Sequence, residues 1–326
     1  LHGEGFILSS ELAEAMLKEA SECSRVVKPY RNGNDITGRS KDRFVIDFFG
    51  WSEVEARENF PVQYQHVLLN VKPERDANRR EVRKKNWWLF RETVPALRQA
   101  LANLARYIVT VRTAKHRTFV FLDSAILPES RLVAVASDDA FLLGVLSSNF
   151  HSVWALGTGA KLEDGQNYNN SEAFDPFPFP ADVPEQLKDK LRAEAEALDA
   201  LRKRVLAEHD DLTLTKLYNV LEALKDGRAL TDAERDIHDR GLVTLIRQHH
   251  DAIDALVAQA YGWEADLADE EILTRLVALN KVRAAEEAKG VIRWLRPDYQ
   301  APDYSAPVNA TLDLGEATAP QPDNII

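Results

Sequence analysis

Four side chains able to hold or read a polyanion, Arg112, Lys115, His116 and Arg117, fall within six residues of one another. Residues 107–112 are β-branched and alternating, residues 118–122 are the same kind of run, and residues 113–117 join them. That pattern predicts a hairpin, although no glycine marks its turn. A two-stranded ribbon fits the major groove of a duplex. There the arginine fork makes a bidentate bond to guanine, and lysine or histidine holds phosphate or a base edge. The same arginines could instead pair with nearby acids and hold the fold. A second basic group, Arg79, Arg80, Arg83, Lys84 and Lys85, is expected to contact phosphate, because a charge cluster positions without specifying. Trp87 and Trp88 could stack on a base, but buried packing is the commoner use of such rings. In the polar loop Tyr168, Asn169, Asn170 and Ser171, Asn169 is a further candidate for base contact.

Other groupings lack the context their chemistry needs. Gly157-Thr158-Gly159 is part of a glycine-rich signature, but no strand–loop–helix follows it. His250 and Asp254 have i,i+4 ligand spacing beside His249, yet no third metal ligand stands out. Glu287-Ala288-Lys289 matches half of a nuclease site but lies in a helical pattern. Asp175-Pro176-Phe177 faintly resembles the acid-proline-aromatic tetrapeptide of amino-methyltransferases, in the wrong order. No catalytic residue and no metal site is therefore expected in this chain.

The elements that must position these residues follow from periodicity. Residues 10–21 read as a helix with Leu12, Met16 and Ala20 on one face and Ser9 or Ser10 as cap. Residues 43–49 read as a buried strand, 54–71 as helix broken by Pro61, 132–136 as a strand and 138–154 as one helix. Residues 157–165 are expected to be loop, and the proline-spaced segment 174–180 cannot be helix. Beyond it the pattern turns helical: residues 187–209, 215–224, a helix opened by the capping box Thr231-Asp232-Ala233-Glu234 and running to Tyr261, and another over 269–289. The expected fold class is α+β: a mixed α/β domain over residues 1–180, then an all-α domain over 181–297. Residues 298–326, rich in Pro, Ala, Asp and Asn, read as a poorly ordered tail.

Net charge is −11 over 326 residues, which by itself argues against nucleic acid. Its distribution argues the other way. Between Arg25 and Arg117 there are 20 basic and 10 acidic residues, so that segment carries +10 and the remainder −21. Such polarity suits a module that lays one region on phosphates and keeps the other in solvent. No apolar run approaches the roughly 18 residues of a membrane span, and no secretory signal opens the chain. The single cysteine, Cys23, cannot form an internal disulfide, which fits a reducing, cytoplasmic setting. Leu1 opens the chain and Met16 is its only methionine, so a fragment of a longer protein is expected.

Several stretches together resemble the large class I S-adenosylmethionine-dependent DNA methyltransferases of single-chain restriction–modification and phage-defence systems. They are Val27-Lys28-Pro29-Tyr30-Arg31-Asn32-Gly33-Asn34-Asp35-Ile36, Arg43-Phe44-Val45-Ile46-Asp47-Phe48, Asn86-Trp87-Trp88 and the hairpin from Arg106 to Val120. Gly144-Val145-Leu146-Ser147-Ser148, Leu156-Gly157-Thr158-Gly159 leading to the Phe174–Pro180 segment, Leu214-Thr215-Lys216-Leu217-Tyr218-Asn219, Asp239-Arg240-Gly241-Leu242-Val243 and Tyr261-Gly262-Trp263 complete the match.

The resemblance implies a C-terminal fragment comprising a target-recognition domain and a helical region, with double-stranded DNA and an upstream methyltransferase domain as partners and no membrane. The full bacterial protein would methylate the exocyclic amine of adenine at a specific duplex site, taking the base out of the stack. S-adenosylmethionine would bind in the upstream domain and no cofactor in this chain, since neither the glycine motif nor an Asn-Pro-Pro-Tyr motif occurs here. Arg112, Lys115, His116, Arg117 and Asn169 are then expected at base edges. Two rivals from other classes remain: a scaffold whose acidic helices dock a partner subunit without DNA, and a free-standing enzyme with an unrecognised site.

Overall fold

The computed structural model describes residues 4–90, 93–158, 161–162 and 165–303. It divides into two compact units, Leu1–Val291 and Ile292–Ile326. The second carries a single described turn of helix, Pro297–Gln300, and most of the tail expected from residue 298 onward lies outside the described residues.

The first unit opens with β1 (Ile7–Leu8), α1 (Ser10–Glu19), β2 (Val27–Arg31), α2 (Gly33–Thr37) and β3 (Phe44–Ile46). Ser9 caps α1, its Oγ accepting from Leu12 N at 3.3 Å. The buried face of α1 is Ala13 and Met16, whereas Leu12 is 39% exposed and Ala20 is exposed, so of the expected stripe only Met16 is buried. Helices α3 (Glu53–Asn59) and α4 (Pro61–Asn70) are separated at Phe60, because Pro61 starts a new helix at its first position. Short helices α5 (Lys72–Asp76), α6 (Glu81–Lys85) and α7 (Pro95–Leu101) follow. Trp87 enters this region's core with Phe6, Phe48, Phe60 and Tyr64, and donates from Nε1 to Glu53. Trp88 Nε1 donates to Trp51 O at 3.0 Å. Both indoles are thus packed rather than offered to a ligand.

The expected hairpin is present. Strand β4 (Arg106–Val111) is followed by β5 (Thr113–Ala114) and β6 (Val120–Asp123), then β7 (Leu127–Pro128) and β8 (Leu132–Val135). β4 pairs antiparallel with β6 from Arg106↔Asp123 to Val109↔Val120, and with β8 on its other edge. The two-residue alternation of β4 serves two cores: Tyr107, Val109 and Val111 face one and Ile108 the other. β7 lies parallel to β2 and extends the first sheet to the order β1-β3-β2-β7.

Two sequence expectations about this region are corrected. The helix expected over 138–154 is two helices, α8 (Ala140–Ser147) and α9 (Asn149–Thr158), bent by 60°. The break falls at Ser148, which is extended (φ −76°, ψ 161°), and Asp254 accepts the Asn149 N–H at 2.6 Å, capping α9 from a distant helix. The loop expected over 157–165 contains β9 (Lys161–Leu162), paired with β10 (Gly165–Asn167). β10 in turn pairs with β5, with Gln166 opposite Ala114 and Asn167 opposite Thr113.

The rest is helical, as the fold class requires: α10 (Glu185–Glu208), α11 (Leu214–Lys225), α12 (Asp232–Arg240), α13 (Val243–Tyr261) and α14 (Asp269–Glu287). The Thr231–Glu234 capping box opens α12. The helix expected to run from there to Tyr261 is broken at Gly241-Leu242, where Leu242 takes φ +50° and a new helix begins. Gly262, at φ +71°, ends α13. A Cβ on Gly144 would stand 2.8 Å from the Leu191 side chain, so glycine lets α8 approach α10 closely. One hydrophobic core contains Tyr107 and Val109 together with Leu191, Leu198, Leu217 and Ile246, joining the sheet to the helices. Among the described residues no single helix is long and apolar enough to cross a membrane; α8 and α9 together are apolar, but the bend and their burial in the core account for that.

Candidate nucleic-acid interface

The segment joining β4 to β6 does not project as a free ribbon tip. Its first part, β5, is pinned by β10, and Tyr168 N donates to Arg112 O at 2.7 Å. Asn169 is thereby brought beside the tip strand. Its Oδ1 accepts from Glu172 N at 2.8 Å and its Nδ2 donates to the Glu172 carboxylate at 2.7 Å, capping the short helical turn that follows.

The four cationic candidates have different surroundings. Arg112 is exposed, and its side chain bonds no described residue. Lys115 is half-exposed and donates to Asn219 Oδ1 and Glu222 Oε2, each at 2.9 Å. That bond, with the nearby His116, holds the Glu222 carboxyl below its usual range. His116 Nε2 lies 2.7 Å from the same Asn219 oxygen. Arg117 turns inward. Its guanidinium donates to Thr110 Oγ1 at 3.0 Å and to Val111 O, and sits over the Tyr168 ring at 4.9 Å from its centroid. Burial pushes Arg117 down to about 10, so it stays charged at neutral pH. Its geometry is that of a strut fixing the tip, while Arg112, Lys115 and His116 face outward.

Beneath the strut lies a buried polar layer. Tyr168, 1% exposed, bonds through its hydroxyl to His151 Nε2 at 2.8 Å. His151 is fully buried between Phe119, Tyr168 and Phe177 and bonds no partner at Nδ1. Burial, reinforced by Arg117, pushes its ring down to about 3.

A cleft of about 200 Å³ opens beside the tip. Asn34 and Thr37 of α2, Thr113, Lys115 and His116 of the tip, and Thr215 in the first turn of α11 supply its polar wall. Gly33 allows this approach: a Cβ there would stand 3.0 Å from Val111. The cleft and the anchors Asn219 and Glu222 were not singled out from sequence. The Leu214–Asn219 stretch was visible as a match, but nothing in spacing ties it to residues about a hundred positions earlier.

The second basic group lies on α6 and the turn before it, packed on the other core through Trp87. Arg79, Arg80 and Lys85 are exposed and bond no described side chain, while Lys84 pairs with Glu81 at 2.8 Å and Arg83 is half-buried. The tip and α6 therefore belong to separate cores of one unit. The spacing candidates His249, His250 and Asp254 part to different partners: Glu194 at 2.8 Å, the Tyr218 hydroxyl at 2.8 Å, and the Asn149 N–H.

Residues 1–181 match the family model described as "MmeI, target recognition domain". Among solved structures the chain is similar to the Type IIL restriction-modification enzyme MmeI, whose structure is of a complex with DNA. The TM-score is 0.61 at 14% identity, over 86% of this chain and 34% of that one. The chain thus spans about a third of the length of the enzyme it matches. No curated protein matches it in sequence.

Proposed function

Because the chain belongs to the MmeI target recognition domain family, we propose that it reads a short duplex DNA sequence as the recognition part of a restriction–modification methyltransferase. In this reading residues 1–180 carry the recognition surface and residues 181–297 brace it. Arg112, Lys115, His116 and Asn169 reach base edges, Arg117 holds the tip that presents them, and Arg79, Arg80, Arg83, Lys84 and Lys85 lie along phosphates. The partner supplying chemistry is an upstream methyltransferase domain that binds S-adenosylmethionine and modifies adenine at its exocyclic amine; the protein works in the bacterial cytoplasm.

The observation carrying this reading is Arg112: an exposed arginine whose side chain bonds no described residue, in the bend between β4 and β5, with its backbone held on both sides by Arg131 O and Tyr168 N. A guanidinium held on rigid backbone but left unpaired suits bidentate reading of guanine. The test is duplex binding by the 326-residue chain across a salt series, followed by selection from a randomised duplex pool, for wild type and Arg112→Ala. Wild type should bind more weakly as salt rises and enrich a defined site. Arg112→Ala should lose roughly tenfold discrimination at one base pair, the scale of one good bidentate contact. Protein association insensitive to salt, with no DNA affinity at low salt, would instead establish a scaffold.

A further inference from the structure

The tip is held from outside its own hairpin, by α11. Lys115 Nζ donates to Asn219 Oδ1 at 2.9 Å, and His116 Nε2 lies 2.7 Å from that same oxygen. An ammonium offers donors only, so the Asn219 atom facing it must be the carbonyl oxygen rather than the amide nitrogen. His116 Nε2 must then carry a proton and donate to that oxygen. In the neutral ring this leaves Nδ1 as an acceptor, and the hydrogen bond His116 makes among the described residues is at Nε2. The ring lines the cleft beside the tip. Lys115 and Glu222 are each about half exposed, so their ion pair adds little to stability. The geometry the cluster imposes matters more than its energy.

We propose that Asn219 is a specificity-positioning residue: its one carbonyl oxygen fixes the His116 tautomer and anchors Lys115, so that His116 Nδ1 is presented as an acceptor for an exocyclic base amine. Adenine N6 and cytosine N4 offer that donor in the major groove, whereas guanine and thymine offer acceptors there. The inference rests on the DNA-recognition reading above. It also extends the recognition surface to α11, beyond residues 1–181 of the family match.

The experiment combines nitrogen-15 NMR of the histidine rings with selection from a randomised duplex pool, using the whole chain in both. Wild type, His116→Ala, Asn219→Leu, Asn219→Asp and the His116→Ala/Asn219→Leu double variant are compared. In wild type without DNA, His116 should show the Nε2–H tautomer, and Asn219→Leu should release it to a mixture. Asn219→Leu and His116→Ala should each lower the preference for an amine-bearing base at the same position by about tenfold. The double variant should lose no more than either alone, and Asn219→Asp, which keeps an acceptor, should retain the preference. An Nδ1–H tautomer in wild type, or an undiminished preference in Asn219→Leu, overturns the positioning role while leaving DNA recognition intact. Failure of wild type to select any sequence at low salt overturns the DNA reading, and this role with it.

Discussion

Arg112 and Arg117 lie five residues apart on one hairpin and meet opposite surroundings. Arg112 faces solvent, while Arg117 is spent on Thr110, Val111 O and the Tyr168 ring. Their chemistry was legible in the sequence; the division between them was not, because it depends on Tyr168, which follows β10 and lies far downstream of both arginines. Arg202 is a stronger case of a cation turned to structure. It is 1% exposed, donates to the Tyr218 hydroxyl at 2.9 Å and to Phe119 O at 2.8 Å, and lies 3.6 Å from the buried Asp199. Since arginine only donates, the Tyr218 proton is directed to His250 Nε2 at 2.8 Å. One side chain on α10 thus ties β6's approach segment to α11 and α13. Arg202→Leu would leave a carbonyl unpaired and take from Asp199 its buried cation, leaving it the half-exposed Lys203 at 2.6 Å and the Phe121 N–H at 3.4 Å. Breaking a buried network at one partner costs about 3–5 kcal/mol. Urea denaturation of Arg202→Leu should show a loss of that size, and a loss below about 1 kcal/mol, the median for surface pairs, would mean the network is dispensable.

At the scale of elements, alternation and caps were readable, and breaks made by distant partners were not. The β4–β6 hairpin followed from β-branched alternation, and the Ser9 and Thr231 caps from local chemistry. The division of α8 from α9 depends on Asp254, about a hundred residues downstream, and that of α12 from α13 on Leu242 at φ +50°, a conformation only tertiary context enforces. Helix α9 carries a consequence for acid stability through His151. Folded, its ring titrates near 3; unfolded, near the ordinary 6.5. Between those values the unfolded chain binds a proton that the folded chain excludes, so stability falls as pH drops from about 6.5 toward 3. Wild-type melting temperature should decline through that window. His151→Leu should decline less across it, lacking this one group's contribution; an identical decline in both proteins would show that His151 takes up its proton as readily folded as unfolded.

The whole molecule is electrostatically divided: +10 between Arg25 and Arg117, and −21 elsewhere. Net charge hid this, and counting by segment revealed it, but only the fold shows that the positive segment has two presentations. The tip is braced by α11 through Glu222, while α6 stands beside the aromatic core of the N-terminal sheet, with Arg79, Arg80 and Lys85 bonding no described side chain. A cation already bonded to a carboxylate must give up that bond to meet phosphate; an unpaired one does not. Phosphate affinity should therefore rest more on Arg79, Arg80 and Lys85 than on Lys84, which is held by Glu81. Each phosphate contact removed lowers the slope of log K against log salt by about 0.9 on duplex DNA. The triple variant Arg79→Gln/Arg80→Gln/Lys85→Gln should bind every sequence more weakly, with a slope shallower by about 2.7, and should select the same site as wild type. Lys84→Gln alone should change the slope by less than one contact's worth. A triple variant whose slope matches wild type, or whose selected site changes, would move the phosphate track away from α6.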